Sequence, residues 1–322
     1  MNLKNLCFFF CAILFAQSCP AAELSTIRLG VMASGTLAWE LAAIKNENLL
    51  QSTDFSLENI NLANQQAGKV ALQSGNVDMI ISDWIWVSSM RAEGVEYSFY
   101  PYSNTSGGLL APADSDIKTL KDLNAKKLGI AGGELDKNWL LLQALGLKQG
   151  IDLNHSVEKV YAAPPLLNQQ LYEKRIDALL TFWQFAAKLE AQGYRQLLSG
   201  EEMIRQLGIN ESVPSLGYVF NTNWGNQHRN VLQAFFKITK IAKDKLCTDD
   251  AAWEKISGLT ETEDKQTQLQ LRHRYCQGRV DQWTVENRHA AEKLYQILHQ
   301  LGDNKLTAAS PQLQADIFWS LN

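Results

Sequence analysis

The chain has 322 residues, of which 46% are hydrophobic, 9% aromatic and 20% charged, an ordinary globular composition with length for about two domains of roughly 150 residues each. Its 30 Lys and Arg against 34 Asp and Glu give a net charge of -4, which leaves no basic footprint for nucleic acid. With 20 Gly and 7 Pro it is neither collagen-like nor of low complexity, and its apolar content excludes disorder. Nine Trp are an excess to be traced, because an indole can fill a core or grip a ligand.

Met1 to Lys4 carries one Lys, residues 6–15 are an unbroken apolar run, and small residues follow at Ala16, Ser18, Ala21 and Ala22. A charged start, a short apolar stretch and a small-residue exit describe a secretory signal peptide over residues 1–21. The run is too short to cross a bilayer, which takes about 20 apolar residues, and it has no polar face for a buried surface helix. Cleavage after Ala21 removes Cys19. Cleavage after Ser18 makes Cys19 the new N-terminus and permits a lipid anchor, although Gln17 fits poorly in the small-residue stretch that lipidation needs. Cys7 and Cys11 leave in both cases, so Cys247 and Cys276 are the pair an oxidising compartment would allow to bond. Sequence alone does not bring their Cα atoms within bridging distance.

Residues 27–32 read as a β-branched strand, followed by the loop Ala33-Ser34-Gly35-Thr36 and by Leu37, Leu41 and Ile44 at helical spacing. Residues 77–81 read as a buried strand ending in Ser82-Asp83-Trp84. The series returns 99 positions later: Leu29-Gly30-Val31 is echoed by Leu128-Gly129-Ile130, and Val77-Asp78 through Asp83-Trp84 by Ile176-Asp177 through Phe182-Trp183. Strands alternating with helices, repeated once, predict two related α/β lobes. Ser106-Gly107-Gly108-Leu109-Leu110-Ala111-Pro112 reads as a strand crossing between the lobes, and Leu216 to Asn221 as the return. Two crossings give a two-strand hinge with a cleft. The expected division is 22–109 for the first part of lobe 1, 110–217 for lobe 2, and 218–322 for the return to lobe 1. The last part includes a helical brace, with helices over 231–245, 285–301 and 312–319 packed on lobe 1.

These residues resemble the periplasmic substrate-binding proteins of ABC importers, in the nitrate, sulfonate, taurine and thiamine-precursor group. The resemblance covers roughly 27–221. It is carried by Gln65-Gln66-Ala67-Gly68 ahead of Ser74-Gly75-Asn76-Val77-Asp78, by Gly107-Gly108-Leu109, by the run from Ile117 to Leu123 before Lys127-Leu128-Gly129-Ile130, and by Arg175-Ile176-Asp177-Ala178 leading to Trp183-Gln184-Phe185-Ala186. It implies a two-lobed type II binding-protein fold, closure on a small solute, and delivery to a membrane permease with its ATPase. The implied protein is periplasmic and monomeric, with no cofactor, and it meets the membrane only through the permease or a lipid on Cys19.

Ligands of parallel α/β sheets gather at the carboxyl ends of strands, where helix N-termini favour anionic groups. The candidate loops are Ser34-Gly35-Thr36, Ser82-Asp83-Trp84, Gly132-Gly133-Glu134 and Trp183-Gln184, with Gln66 and Gly107 added from the resembling motifs. Ser34 and Thr36 offer hydroxyls that serve equally as helix caps. Trp39, Trp84, Trp86, Trp139 and Trp183 fall in or just after these loops and suit either a cleft or a core. Members of the resembling group that hold sulfonate or nitrate carry a small hydroxyl residue where Glu134 stands here. With Asp83, Glu134 makes an acidic rim, which Lys69, Lys137 or Lys174 would have to offset for an anion. A planar ligand, such as a thiamine-like pyrimidine or pyrroloquinoline quinone, fits the aromatic excess; an aliphatic sulfonate or taurine is the alternative.

No Gly-x-Ser-x-Gly elbow, Walker loop or Gly-x-Gly-x-x-Gly is present. The five His form no His-Glu-x-x-His, and His273 with Cys276 is two ligands short of a zinc site. The expectation is a non-enzyme without a metal. The competing readings are a ligand-sensing partner of a membrane receptor, or a lyase or synthase on the same fold.

Overall fold

In the computed structural model of the chain, the described residues are 24–32, 35–308 and 310–321. The predicted signal segment, Cys19 and Ser34 lie outside them. β1 (Ser25–Met32) leads into α1 (Thr36–Asn46), β2 (Phe55–Leu62) into α2 (Gln65–Gln73), and β3 (Met79–Ser82) into α3 (Trp84–Ala92), followed by β4 (Tyr97–Ser103). The second lobe runs through β5 (Gly108–Ala111), β6 (Lys127–Ala131), α4 (Lys137–Lys148), α5 (Leu153–Ser156), β7 (Glu158–Ala162) and α6 (Pro164–Tyr172). It ends with β8 (Ala178–Thr181), α7 (Trp183–Ala191), β9 (Arg195–Ser199) and α8 (Gly200–Gln206). The chain returns in β10 (Leu216–Asn221) and continues through α9 (Thr222–Gln227), α10 (Arg229–Thr248), α11 (Asp250–Glu254), α12 (Lys265–Gln277) and α13 (Val285–Thr307).

The two sheets have one plan. The first has strand order β2-β1-β3-β10-β4 and the second β7-β6-β8-β5-β9, so β6, β7, β8 and β9 stand where β1, β2, β3 and β4 stand. In each sheet the crossing strand enters antiparallel to its neighbour, β10 beside β3 and β5 beside β8. Ile27, Leu29, Met79, Leu128, Ile130 and Leu179 have no exposure, as central strands covered on both faces require. The repeat extends to a backbone clip. The Arg28 N–H donates to Asp78 Oδ2 at 2.8 Å, and 99 positions on the Lys127 N–H donates to Asp177 Oδ2 at 2.8 Å.

Each crossing strand starts two residues earlier than the expected boundaries at 110 and 218, because Gly108 and Leu216 already pair inside the sheet they enter. Gly107, just before the first crossing strand, is fixed by close approach: a Cβ there would lie 2.3 Å from the Thr181 carbonyl oxygen and 2.9 Å from Asn138 Nδ2.

The C-terminal helices do not brace lobe 1 alone. α10 packs on α1, but α12 packs on α7 of lobe 2, and α13 lies against α3 and α4, one from each lobe. Polar contacts explain the reach. Arg274 on α12 pairs with Glu190 on α7, with its Nε at 2.9 Å, and Gln270 Nε2 donates to the same carboxylate at 2.8 Å. A disulfide between Cys247 and Cys276 joins α10 to α12.

Residues 312–319 are not helical. The Phe99 N–H donates to the Ile317 carbonyl at 2.7 Å and the Trp319 N–H to the Phe99 carbonyl at 2.9 Å, adding a bridge to β4 at the sheet edge. An open edge offers unpaired backbone groups, and this tail meets that demand rather than its own helical periodicity. Trp319 is 5% exposed, with the Arg229 guanidinium 4.5 Å above its ring.

Candidate functional site

A cavity of about 290 Å3 lies between the lobes, lined from both sides. Gly35, Thr36 and Asp83 border it from lobe 1; Asp136, Lys137, Asn138 and Phe182 to Gln184 border it from lobe 2. The crossing segments supply Gly107 and Ser215, and Leu259, Thr260 and Glu261 from the C-terminal part form a third wall. That wall is tied on by the Trp39 indole N–H, which donates to the Leu259 carbonyl at 3.0 Å, and by Lys188 on α7, 3.7 Å from Glu261.

Four helices begin at the cavity, and their caps differ. Asp83 caps α3 by accepting the Trp86 N–H at 3.0 Å, and Asp136 caps α4 by accepting the Asn138 N–H at 2.9 Å. Gly35 and Phe182 occupy the same position on α1 and α7 and give no side-chain cap. First-turn amides of α1 and α7 therefore lack the side-chain acceptor that α3 and α4 carry. Lys137 of lobe 2 reaches across to within 3.8 Å of Asp83 in lobe 1. Burial pushes the Asp83 carboxyl up, but Lys137, Lys69 and the Trp86 amide more than offset it and hold it below its ordinary value. Burial pushes the Lys69 ammonium down and the Asp136 carboxyl up against its own amide bonds.

Of the tryptophans singled out in the sequence, Trp39, Trp84 and Trp183 border the cavity. Trp84 is 2% exposed and donates its indole N–H to the Pro214 carbonyl at 2.9 Å; Trp183 is half-buried and meets Trp39 edge-on at 6.2 Å. Trp86 and Trp139 do not line it. Trp86 follows Trp84 by two residues, about 200° around the helix. It packs on Tyr97, with the Lys69 ammonium 4.8 Å from its ring. Trp139 is 1% exposed, in the core.

Trp139 is the third residue of α4, which begins at Lys137, and it turns inward. Gly132 and Gly133 both take φ +88°, and the loop they form carries Glu134 out to the surface, where its charge acts on Tyr161. Gly133 and Glu134 therefore stand outside the cavity lining, and the acidic residues that border it are Asp83, Asp136 and Glu261. Gln65 lines the cavity in place of Gln66. Lys69 is not a lining residue and acts on the site through Asp83, whereas Lys174 lies exposed in a turn with φ +55°. Gly35, Thr36, Asp83, Gly107 and Gln184 do border the cavity. Asp136 carried a readable helix-start signal, an Asp directly before an apolar-periodic run. Nothing local to residues 259–261 marks them as part of a cleft.

Beneath Thr36 lies a buried polar cluster. Thr36 Oγ1 is 2.9 Å from the Tyr102 hydroxyl, and Tyr102 and Tyr275 both donate to Glu40 Oε1, at 2.8 and 3.0 Å. Lys243 Nζ stands 3.6 Å from that oxygen. Glu40 has no exposure, and its Oε2 has no hydrogen-bond partner.

Two five-stranded sheets of one strand order, exchanged crossing strands and an interlobe cavity define a two-lobed type II periplasmic-binding-protein fold. The chain belongs to the NMT1/THI5-like family, whose sequence model matches residues 51–249. No curated protein matches it in sequence. Among solved structures it is similar to the alkanesulfonate-binding protein SsuA of Xanthomonas axonopodis pv. citri bound to MOPS, with a TM-score of 0.69 at 17% identity, covering 93% of this chain and 99% of that one. It is also similar to the periplasmic aliphatic sulphonate binding protein SsuA of Escherichia coli, with a TM-score of 0.72 at 16% identity, covering 92% and 93%. A third is the ligand-binding component of an ABC-type import system from Staphylococcus aureus with zinc bound, with a TM-score of 0.64 at 18% identity, covering 92% and 96%. Among the described residues no helix is long and apolar enough to cross a membrane, and no group of three or more His, Cys, Asp or Glu is placed to hold a metal ion.

Proposed function

We propose that this protein is an extracytoplasmic solute-binding protein that captures a small organic ligand between its lobes and delivers it to an ABC permease. The observation that carries this reading is the cavity: one space of about 290 Å3, bordered by strand-end loops of both lobes, of the size small organic solutes occupy. Its indoles favour a planar or aromatic body, such as a thiamine-like pyrimidine or pyrroloquinoline quinone. The α7 start, which no side chain caps, leaves room for an organic anion such as a sulfonate. The Asp83 and Lys137 charges already balance each other across the gap, so a net ligand charge is not required.

The test is a ligand panel of sulfonates, pyrimidines and quinones, read by tryptophan fluorescence and thermal shift. A bound member is expected to change both, and a panel that leaves both unchanged removes those classes. Trp183→Ala is expected to weaken binding of the active member about two- to twelvefold, equivalent to a ring contact of about 0.5–1.5 kcal/mol. The melting temperature should move by less than about 4 °C. A large loss of stability with unchanged affinity would return Trp183 to the core.

A further inference from the structure

Thr36 is the first residue of α1 and one of the residues that line the interlobe cavity. A threonine hydroxyl has one proton and can face a ligand as donor or acceptor. Here the choice is constrained from behind. Tyr102 also has one proton, and it goes to Glu40 Oε1 at 2.8 Å. The same oxygen receives the Tyr275 proton at 3.0 Å and faces the Lys243 ammonium at 3.6 Å, so three donors converge on it. Tyr102 can therefore meet Thr36, 2.9 Å away, only as an acceptor.

We infer that the Tyr102–Glu40 pair fixes the Thr36 hydroxyl with its proton turned inward, so that this corner of the cleft presents an acceptor and selects a ligand carrying an N–H or O–H group there. The inference rests on the cleft being the binding site. The direction is the same in either state of Glu40. Burial pushes its carboxyl up, but a proton on it belongs on Oε2, the oxygen without a partner, which leaves Oε1 accepting from both tyrosines. Tyr102 is 3% exposed and Tyr275 5%, so bulk water does not compete for these protons. Thr36 is thus the specificity-determining contact, and Tyr102 and Glu40 are positioning residues behind it. A ligand oxygen bearing only lone pairs meets lone pairs at this point, an unpaired contact that a hydrogen-bonding site rejects strongly.

Neutron diffraction from crystals of the perdeuterated, ligand-free protein tests the inference directly. The expected map shows one deuteron on Thr36 Oγ1 directed at Tyr102 and one on Tyr102 directed at Glu40. A Tyr102 deuteron directed at Thr36 overturns it. A second arm uses calorimetry with 4-amino-2-methylpyrimidine and its 4-methoxy counterpart, which exchanges a donor for an acceptor at similar size. The amino compound is expected to bind at least about tenfold tighter to the wild type, and Tyr102→Phe, which releases the Thr36 proton, to bring the ratio toward one. An equal ratio in the two proteins overturns the inference. If neither compound binds the wild type, the pyrimidine class falls from the functional reading and the deuteron positions decide the inference alone.

Discussion

Glu47 sits between two lysines, with Lys245 Nζ 2.9 Å from one carboxylate oxygen and Lys255 Nζ 2.9 Å from the other. Their hydrogen bonds lower its pKa from 4.5 to about 2. The folded state then binds the proton less readily than the unfolded one. The Glu47 contribution is complete above its ordinary value and lost as pH falls from about 4.5 through about 2. Glu47→Gln is expected to be less stable than wild type at neutral pH, and the two should converge as pH falls through that window. Denaturation curves at a series of acidic pH values check this, and a constant difference across the window would contradict it. The same scale shows what local reading recovers. Thr36, Asp83 and Trp183 follow strands that the repeat located, so their loops were legible. Trp86 and Trp139 were not, because each step along a helix turns the side chain by about 100°, so one or two positions separate cavity from core. The Tyr102 and Tyr275 partners of Glu40 lie 62 and 235 residues away, beyond any local pattern.

At the scale of elements, the disulfide between α10 and α12 closes a loop of sequence separation 29. A cross-link of that span is worth about 3–4 kcal/mol through the entropy it removes from the unfolded chain. The Cys247→Ser, Cys276→Ser double variant is expected to lose stability of that order in equilibrium denaturation, while ligand-induced fluorescence changes persist. An unchanged denaturation midpoint would mean that native contacts alone hold α12 in place. β1, β3, β6 and β8 followed from apolar periodicity and the offset of 99, and β5 and β10 from the crossing segments, whereas β2, β4, β7 and β9 did not. The tail at 312–319 did not either, since its apolar spacing matched a helix while the unpaired edge of β4 drew residues 317–319 into a bridge beside Phe99. The reach of α12 onto α7 was also illegible: Arg274 and Glu190 are ordinary surface-type charges until the fold sets them face to face.

For the whole molecule, the lobes and the C-terminal part are tied together at three places: Lys137 against Asp83 between the lobes, Lys188 against Glu261, and Arg274 with Gln270 on Glu190. The last anchors the C-terminal part to lobe 2, with both charged side chains mostly shielded from water at 12% and 25% exposure. Glu190→Ala is expected to favour an opened form, seen as a larger radius of gyration in small-angle scattering of the ligand-free protein. An unchanged scattering curve would place the closing force elsewhere. The exchanged strands carry a further consequence, for the order in which the molecule is built. Lobe 2 has all five of its strands within residues 108–199, so a chain emerging from its N-terminus can complete that sheet by itself. Lobe 1 must hold β3 and β4 apart until β10 arrives at residues 216–221. The half of the protein made first is therefore the half that finishes last, and its open sheet is the stage most exposed to mispairing and most in need of a holding chaperone.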